Sequence, residues 1–296
     1  KPEDYDSSKP HSYICYLDAN NLYGWAMNQY LPTGGFRFLT DDEIANVDFV
    51  NVPDDSEIGY VVECDLEYPV ELHEMHNDYP LAPEHMTITA DMLSPFCKAM
   101  TLKCAFSEKL MGTLQTKIKY KVHYRNLKLY VNLGMKVLRI HRVIAFEQRP
   151  WLKAYIDLNT TMRQRAKSDF EKDFYKLMNN AFFGKSMENV RKRRNVDLVC
   201  DPVKLKKLLA KPQLEQFLIV NEETVLVERI RAKVTLDKPI YVGFAVLELS
   251  KLLIFDFHYN VMLKRYGANA RLLFSDTDSL CYHVFTDDVY RDMLEY

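Results

Sequence analysis

The chain has 296 residues, of which 48% are hydrophobic, and a formal charge of −2, so it can bury the core of one large domain or of two smaller ones. Charges interrupt every apolar stretch before the roughly 18 residues that a membrane span needs, and no basic-then-apolar leader opens the chain, which excludes an integral membrane protein. The six cysteines form no C-x-x-C pair. This favours free thiols in a reducing, intracellular compartment over disulfides or a zinc site, and we expect a soluble globular protein.

The small net charge conceals two blocks of opposite sign. Residues 41–94 contain fifteen Asp or Glu and no Lys or Arg, whereas residues 98–142 contain eleven Lys or Arg and one acid. Aromatic residues are interleaved with the basic block, as on surfaces that follow a polyanion. The pattern favours nucleic acid as a partner, and a solvated helical face is the equal alternative for the basic block on composition alone.

The first elements are a strand and a short helix. The apolar run over 13–17 predicts a buried strand that ends at Asp18. The pair Asn20-Asn21 then predicts a turn into a helix over 22–27. A carboxylate at the end of a buried strand is held rigidly, so Asp18 is a candidate ligand.

The middle of the chain alternates extended and helical patterns. In chain order we predict a loop over 31–38, a strand over 60–66, a helix over 126–133, a strand over 136–146 and helices over 154–187 that are interrupted near 159–161.

Two stripes run along the second helix of the region 154–187. We expect one stripe to face a core and the other to be left for a ligand. The core stripe consists of Phe170, Phe174, Leu177 and Ala181, and the ligand stripe of Lys172, Lys176, Asn180 and Phe183.

The last third begins with a charged region and ends with a hairpin. We predict irregular structure over 188–238 with short strands at 215–220 and 224–230, an amphipathic helix over 244–266 ended by Gly267, and a strand-turn-strand unit over 271–284.

Three carboxylates predict a metal site. Nucleotidyl transfer uses two divalent cations about 4 Å apart, and Mg²⁺ prefers carboxylate oxygens. We predict that Asp18 and Asp278 bridge the two ions, with Asp276 beside them. Alone, Asp18 is more typical of a turn or helix cap, and the other two of a hairpin turn. A D-x-D pair inside an apolar hairpin is harder to explain without a cation, because buried unpaired charge is costly.

The ligand stripe predicts a nucleotide site. Lys176 would meet the phosphates, while Asn180 and Phe183 would flank the base or sugar. A solvated lysine is the alternative for Lys176.

Two further cations precede that helix. Arg163 and Lys167 would add positive charge to the same phosphates. Pairing with the nearby acids Asp169 and Glu171 is an equal alternative.

The short first helix completes the nucleotide site. Tyr23 would lie under the sugar and exclude a 2′-hydroxyl by its bulk, with a core tyrosine as the alternative. The backbone N–H groups of Asn21 and Leu22, at the helix start, would hold the triphosphate.

These stretches resemble, in the same order, the three polymerase motifs of family B DNA polymerases. Residues 18–24 are similar to D-x-x-S-L-Y-P, residues 176–184 to K-x-x-x-N-S-x-Y-G, and residues 276–279 to D-T-D-S. Additional segments resemble the protein-primed subgroup of Polinton/Maverick transposons and adintoviruses. These are L-D-A-N-N-L-Y-G-W-A-M at 17–27, H-Y-R-N-L at 123–127, I-H-R-V at 140–143 and P-W-L-K at 150–153.

The resemblance implies a DNA-directed DNA polymerase. Such an enzyme transfers a nucleotidyl group from a dNTP to the 3′-hydroxyl of a primer, or to a hydroxyl of a priming protein, in the replication of a viral or transposon DNA. It implies two Mg²⁺ ions, which Mn²⁺ can replace. By the resemblance, Asp18 and Asp278 bind the metals, Tyr23 is the steric gate, and Lys176 and Asn180 contact the nucleotide. We further predict that Asp276 and the backbone carbonyl of Ala19 lie at the metals and that Gly184 and Lys185 contact DNA.

The chain does not match the family motifs at every position. Asn21 replaces the usual Ser and Gly24 the usual Pro, which changes the turn without removing a ligand. Phe183 replaces the usual Tyr and keeps the ring for stacking without its hydroxyl.

The resemblance also implies the architecture, an α+β fold with a split polymerase palm, formed by an antiparallel sheet with packed helices, and with helical fingers and two insertions. The basic half of the first insertion is expected to line DNA or the priming protein through Lys117, Lys119, Lys121 and Arg125. Neither the exonuclease domain nor the thumb of the family is expected in this chain. The expected location is the nucleus or the viral replication compartment of a eukaryotic host, with no membrane partner. The expected division is palm at 1–30, first insertion at 31–153, fingers at 154–189, second insertion at 190–236 and palm again at 237–296.

Two other functions stay open. A non-catalytic relic or fragment would bind DNA or a priming protein without turnover. A reverse transcriptase shares the palm, but it usually carries adjacent aspartates in the third motif and lacks the K-x-x-x-N helix. Mg²⁺ titration with a nucleotide, followed by primer extension, separates the enzyme from the binding module.

Overall fold

The computed structural model describes residues 11–100 and 108–295; residues 101–107, which belong to the basic block, lie outside the described part. The fold is α+β, as predicted, and every paired strand is antiparallel to its neighbour. The strands are β1 (Ser12–Asp18), β2 (Leu31–Phe38), β3 (Ile58–Glu67), β4 (Glu84–Thr87), β5 (Glu108–Met111), β6 (Lys117–His123), β7 (Lys136–Arg149), β8 (Arg194–Val199), β9 (Leu214–Asn221), β10 (Thr224–Ile230), β11 (Ala270–Asp276) and β12 (Ser279–Phe285).

Within residues 11–100 and 108–295, the helices connect four sheets. They are α1 (Leu22–Met27), α2 (Asp41–Asn46), α3 (His73–His76), α4 (Pro95–Ala99), α5 (Tyr124–Asn132), α6 (Lys153–Arg165), α7 (Asp169–Ser186), α8 (Pro202–Leu209), α9 (Ile240–Asp256), α10 (Lys264–Tyr266) and α11 (Val289–Leu294). Short 3₁₀ turns lie at Val70–Leu72, Ala90–Met92, Val190–Lys192 and Gly267–Asn269, and a π-helix lies at Phe257–Leu263. Within the described residues, no helix is both long and apolar enough to cross a membrane.

The first sheet joins the two ends of the described chain in the order β1-β12-β11. Its inner face is buried, because Leu280, Tyr282 and Val284 pack with the helical residues Ile254 and Met262. Its outer face is open. Ile14, Tyr16 and Phe274 are each more than half exposed there.

Helix α9 is the central helix, and the prediction that it is amphipathic is wrong. It contacts helices α1, α5 and α7 and strands β2 and β6, so it is buried on several sides. Its buried Glu248 accepts hydrogen bonds from the backbone N–H of His123 at 3.1 Å and from Asn126 Nδ2 at 3.0 Å. The H-Y-R-N-L segment is therefore attached to this helix.

The second sheet has the order β2-β7-β3-β6 and carries the largest core, which includes Val62, Leu66 and Leu127. The loop predicted over 31–38 is wrong, because this segment is strand β2, paired with β7. The pairing shifts register twice in the stretch that contains Gly34 and Gly35. The glycines therefore bend the strand instead of ending it.

The third sheet, β8-β10-β9, lies in the region predicted to be irregular. Both predicted strands are present, but β8 and helix α8 were not predicted. Val199, Leu208 and Val227 form a separate small core beneath them.

Helices α6 and α7 form a hairpin whose break lies at residues 166–168, not at 159–161. Ser168 and Glu171 form a capping box that starts α7. The predicted core stripe is wrong, because Phe170 is 79% exposed and Leu177 62% exposed. The side of α7 that packs on the rest of the protein instead carries Asn179, Phe182 and Phe183.

Candidate active site

The carboxylates of the first and last strands lie at one edge of the first sheet. Asp18 on β1 and Asp276 on β11 are both paired in register with Ser279 of the middle strand, so the three residues share a face. The backbone N–H of Ala19 donates to the carbonyl of Asp278 at 2.8 Å. Asp18 and Asp278 are therefore neighbours, whereas the backbone of Asp276 lies two strand spacings, about 10 Å, from that of Asp18.

The turn between the two aspartates is strained. Thr277 has a φ of 53°, which is rare for a β-branched residue. The backbone N–H of Asp278 donates to the carbonyl of Asp276 at 2.6 Å, which closes the turn. Strain of this kind persists only where the surrounding structure imposes it, and it concentrates at functional sites.

Two residues outside the predicted site, Tyr16 and Ser279, support this turn. The hydroxyl of Tyr16 donates to Ser279 Oγ at 2.8 Å, and Ser279 Oγ donates to the carbonyl of Asp276 at 3.2 Å. Strand periodicity was the available signal for Tyr16, because it lies two residues before Asp18 and so on the same face. Ser279 completes the D-T-D-S motif.

The three carboxylates have no cationic partner in the described part of the chain. None of the ion pairs there involves Asp18, Asp276 or Asp278. Over the same residues, no three His, Cys, Asp or Glu side chains are grouped closely enough to hold a metal ion. The site can hold a cation only if backbone or ligand oxygens complete its coordination.

Tyr23 joins the first carboxylate stretch to helix α7. Its ring stacks on Phe183, with centroids 4.6 Å apart and planes 15° apart. Burial raises the pKa of Tyr23, and the negative charge of Asp278 raises it further. Tyr23 therefore lies close both to Phe183 and to Asp278, so all three sequence stretches meet here.

Asn21 and Gly24 are sterically coupled. Asn21 adopts the left-handed conformation, with φ 59° and ψ 46°, immediately before α1. A Cβ added at Gly24 would lie 2.0 Å from Asn21 Nδ2. The two departures from the first family motif therefore depend on each other, since the asparagine side chain occupies the space that a side chain at 24 would need.

The outer face of α7 is open. Lys176 and Asn180 are exposed and one helical turn apart, and no described acid forms an ion pair with Lys176. Gly184 continues this face, and a Cβ there would meet nothing within 4 Å. An exposed glycine inside a helix costs about 1 kcal/mol relative to alanine, and no contact within the described chain requires it.

Arg163 and Lys167 lie at the far end of the α6–α7 hairpin. The separation of Lys167 from Phe183 corresponds to about 24 Å of helix, so the structure does not bring these two cations to the carboxylates. The alternative pairing with acids is not observed either. Asp169 pairs with Lys172 at 3.1 Å, and Glu171 accepts from the backbone N–H of Lys167 at 2.9 Å.

The prediction that Lys117 and Arg125 lie on a DNA-facing surface is wrong. Lys117 is fully buried, and its Nζ donates to Glu84 Oε1 at 3.0 Å. Arg125 is also buried and pairs with Asp54 at 3.0 Å.

The other basic candidates are exposed. Lys119 and Lys121 project from strand β6, and Lys121 pairs with Glu63 at 3.2 Å. Lys185 pairs with Glu188 at 2.8 Å at the end of α7. The side chains of Lys121 and Lys185 are themselves 63% and 66% exposed, so both can also contact another anion.

Solved structures of one protein resemble this fold. Phi29 DNA polymerase in an orthorhombic crystal form matches with 13% identity and a TM-score of 0.50, covering 94% of this chain and 40% of that chain. Phi29 DNA polymerase complexed with primer-template DNA and incoming nucleotide substrates matches with 16% identity and a TM-score of 0.51, covering 97% and 42%. The chain thus spans about two fifths of the length of these polymerases.

No curated protein matches the chain. The sequence model described as DNA polymerase type B, organellar and viral, matches residues 5–236, which is most of the chain and includes the first two motif stretches. The third stretch follows the matched region and meets the other two in space. The chain belongs to the organellar and viral type B DNA polymerase family.

Proposed function

We propose that this chain carries the palm and fingers of a DNA-directed DNA polymerase, which transfers a nucleotidyl group from a dNTP to a primer 3′-hydroxyl. The observation that carries the proposal is the meeting of three distant sequence stretches. Asp18 and Asp278 lie side by side through the Ala19–Asp278 hydrogen bond, and Tyr23 links them to Phe183. Asp18 and Asp276 are exposed and Asp278 is partly buried, and none of the three forms an ion pair with a described residue, so all three carboxylates can bind a cation.

The carboxylates fit an Mg²⁺ site whose ligands come partly from the protein and partly from the substrate. Mg²⁺ is commonly held by one or two carboxylates together with substrate phosphates, and Asp18 and Asp278 supply that number. The carbonyl of Ala19 and the carboxylate of Asp276 are the further protein oxygens. When bound, two such ions lower the pKa of the attacking hydroxyl and stabilise charge on the phosphates.

The protein's own residues bind and orient the substrates. Lys176 offers a cation to the phosphates of the dNTP, and Asn180 offers hydrogen bonds one turn further along α7. The backbone N–H groups of Asn21 and Leu22 are further phosphate donors. Tyr23, held by its stack on Phe183, closes the space beside the sugar 2′-carbon and excludes a ribonucleotide.

The open face of the first sheet and the open face of α7 form the proposed path of DNA. Gly184 leaves room for a base or backbone to approach α7. Lys119, Lys121 and Lys185 are the proposed contacts to phosphates, whereas Arg163 and Lys167 would reach the nucleotide only if the α6–α7 hairpin moved toward the palm.

The division of the chain follows from these assignments. The first sheet and α9 are the proposed palm, α6 and α7 the fingers, and the sheets at 31–153 and 190–236 the two insertions. The proposed setting is replication of a viral or transposon DNA of the Polinton or adintovirus type, with a priming protein as partner.

Calorimetric titration tests the proposed metal and nucleotide site. Because the carboxylates need substrate oxygens to complete the coordination, Mg²⁺ should bind weakly alone and at least about tenfold more tightly with dNTP present. Asp18→Asn and Asp278→Asn should abolish this coupling, and the exposed Asp55→Asn should leave it unchanged. Equal Mg²⁺ affinity with and without dNTP, or coupling that survives in Asp278→Asn, would refute the assignment. Coupled binding without any primer extension would identify the non-catalytic binding module.

A further inference from the structure

A pocket of about 520 Å³ lies between the second sheet and the start of helix α9. Its volume is within the range of small-molecule sites, about 300–1,000 Å³. One face of the second sheet forms its floor. Met187 at the end of α7 and the first turns of α9 form the rest of its lining.

The floor of this pocket consists of two neighbouring rows of side chains. The apolar row lies across β2, β7 and β3 and consists of Phe38, Ile144 and Val61. The charged row lies across β7, β3 and β6 and consists of Arg142, Glu63 and Lys121. The rows are two residues apart along each strand, which is about 7 Å, so one ligand can contact both.

The charged row presents cations to the pocket. Glu63 is 7% exposed, and it accepts a hydrogen bond from Arg142 Nε at 2.7 Å and pairs with Lys121 Nζ at 3.2 Å. The hydrogen bonds from Arg142 and Lys121 lower the pKa of Glu63 to about 2, so this carboxylate is ionised at pH 7. The side chains of Arg142 and Lys121 are 65% and 63% exposed. Two cations and one carboxylate give the row a net positive charge, and its solvent side is cationic.

A second group of cations lies beside the helical part of the lining. Glu188 directly follows Met187 and pairs with Lys185 at 2.8 Å, with Lys238 at 3.6 Å and with Arg193. Three cations therefore share one carboxylate. The pocket thus has an excess of positive charge both on its floor and beside its helical lining, which attracts a polyanion.

Aromatic rings border the apolar part of the pocket. Phe38 is 63% exposed and Tyr241 is 40% exposed. The ring of Tyr241 packs against Phe36, with the two centroids 4.6 Å apart. Exposed rings between cations are typical of sites for single-stranded nucleic acid, because the bases stack on the rings while the phosphates contact the cations. The bases of a duplex stack on one another and are not free to enter such a pocket.

We propose that this pocket binds an unpaired base of single-stranded DNA. The base stacks against Phe38 and Tyr241, and the phosphates on either side of it contact Arg142 and Lys185. The inference rests on the proposed function and deepens it, because the pocket lies between Lys121 and Lys185, which are two of the proposed contacts to DNA.

The test measures the affinity of the chain for two labelled single strands by fluorescence anisotropy, without Mg²⁺ or dNTP. One strand is an oligothymidylate, and the other is an abasic strand of the same length and charge. The unmodified chain should bind the oligothymidylate at least about tenfold more tightly, because stacking contributes about 1–3 kcal/mol per base. Tyr241→Ala should weaken binding of the oligothymidylate at least about tenfold and leave binding of the abasic strand unchanged.

Two further variants separate stacking from folding. Tyr241→Phe keeps the ring and should bind both strands as the unmodified chain does. Phe38→Ala changes a more exposed side chain and should act in the same direction as Tyr241→Ala. The matched control is Tyr290→Ala, because Tyr290 is 72% exposed and also packs against one other ring, that of Tyr13. It should leave both affinities unchanged.

The proposal is overturned if the unmodified chain binds both strands equally, or if Tyr241→Ala binds the oligothymidylate as the unmodified chain does. Equal losses for both strands in Tyr241→Ala would also overturn it, since the effect would not act through a base. Thymidine monophosphate should bind far more weakly than the oligothymidylate; equally tight binding that depends on Tyr241 would make the ligand a free nucleotide and refute the proposal. Asp278→Asn should lose primer extension and keep the preference for bases, so the polymerase assignment and this proposal can fail separately.

Discussion

The ring of Tyr23 lies almost parallel to the ring of Phe183, with the two centroids 4.6 Å apart. One ring belongs to helix α1 and the other to helix α7, so the stack joins two elements that are about 160 residues apart in sequence. Pairs of this kind contribute about 0.5–1.5 kcal/mol beyond the area that they bury. The position of Tyr23 is thus fixed by α7, beside Asp278.

Removing this ring should relax sugar selection. Tyr23→Ala opens the space beside the sugar, and the ratio of kcat/KM for dNTP to that for rNTP should fall at least about tenfold, or 1.4 kcal/mol. Tyr23→Phe keeps the ring and the stack and should retain the selection. The measurement is single-nucleotide incorporation. If Tyr23→Ala discriminates between dNTP and rNTP as well as the unmodified chain does, Tyr23 is not the steric gate.

The coupling between Asn21 and Gly24 predicts non-additive stabilities. Gly24→Ala places a Cβ against the Asn21 side chain and should lower the free energy of unfolding by about 1–3 kcal/mol. Asn21→Gly tolerates the left-handed backbone and removes that side chain. In this background Gly24→Ala should cost less than 1 kcal/mol. Denaturant unfolding of the four proteins measures the coupling, and additive effects would show that no steric conflict exists.

Exposed and buried lysines of strand β6 should behave differently. Lys119→Gln/Lys121→Gln should reduce the slope of log affinity for DNA against log salt by up to about 2, because each phosphate contact contributes about 0.9. Lys117→Met should leave that slope unchanged and should instead lower the unfolding temperature, since Glu84 loses its buried partner. If the salt dependence of DNA affinity is unchanged in the Lys119/Lys121 variant, these two lysines do not contact DNA.

Buried histidines predict acid sensitivity. Burial lowers the pKa of His76 and of His258 to about 4 and that of His123 to about 3. Below pH 6.5 the unfolded chain takes up protons that the folded chain does not, so stability is complete above pH 6.5 and decreases as the pH falls toward 4. Each pKa difference of one unit corresponds to roughly 1.4 kcal/mol.

His123→Asn should flatten this dependence while keeping a residue suited to cap α5. Thermal unfolding between pH 7 and pH 4 is the measurement, with the exposed His85→Asn as the control that retains the full slope. A melting temperature that does not change between pH 7 and pH 4 in the unmodified chain would contradict the burial argument.

Local signals in the sequence were sufficient for most elements near the proposed site. Strand β1, helix α1 and the β11–β12 hairpin follow from apolar runs and turn residues of short range. Strand β2 was missed because it is stabilised by pairing with β7, more than 100 residues away, and its Pro32 and two glycines resemble a loop locally. Pairing partners at such distances leave no local pattern.

Burial of single side chains was harder to predict. Lys117 was expected on the surface, but its partner Glu84 lies on another strand 33 residues earlier. On α7, neither predicted stripe is the packed side, because Lys172, Lys176 and Asn180 are exposed as well. Helical spacing gives the period of a face but not which face packs, and the packed side carries Asn179 and Phe182, which belong to neither stripe. The exposed Phe170 and Phe174 of α7 show that the apolar stripe was chosen wrongly.

Primer extension by Asp278→Asn tests the central claim most directly. The carboxylate lies beside Asp18 and Tyr23, and its loss should reduce extension of a labelled primer-template in Mg²⁺ at least about a thousandfold, or 4 kcal/mol, with the unfolding temperature within a few degrees of the unmodified chain. Asp55→Asn should extend the primer at the unmodified rate. The unmodified chain, assayed in parallel, serves as the positive control. Extension by Asp278→Asn at the unmodified rate would contradict the account.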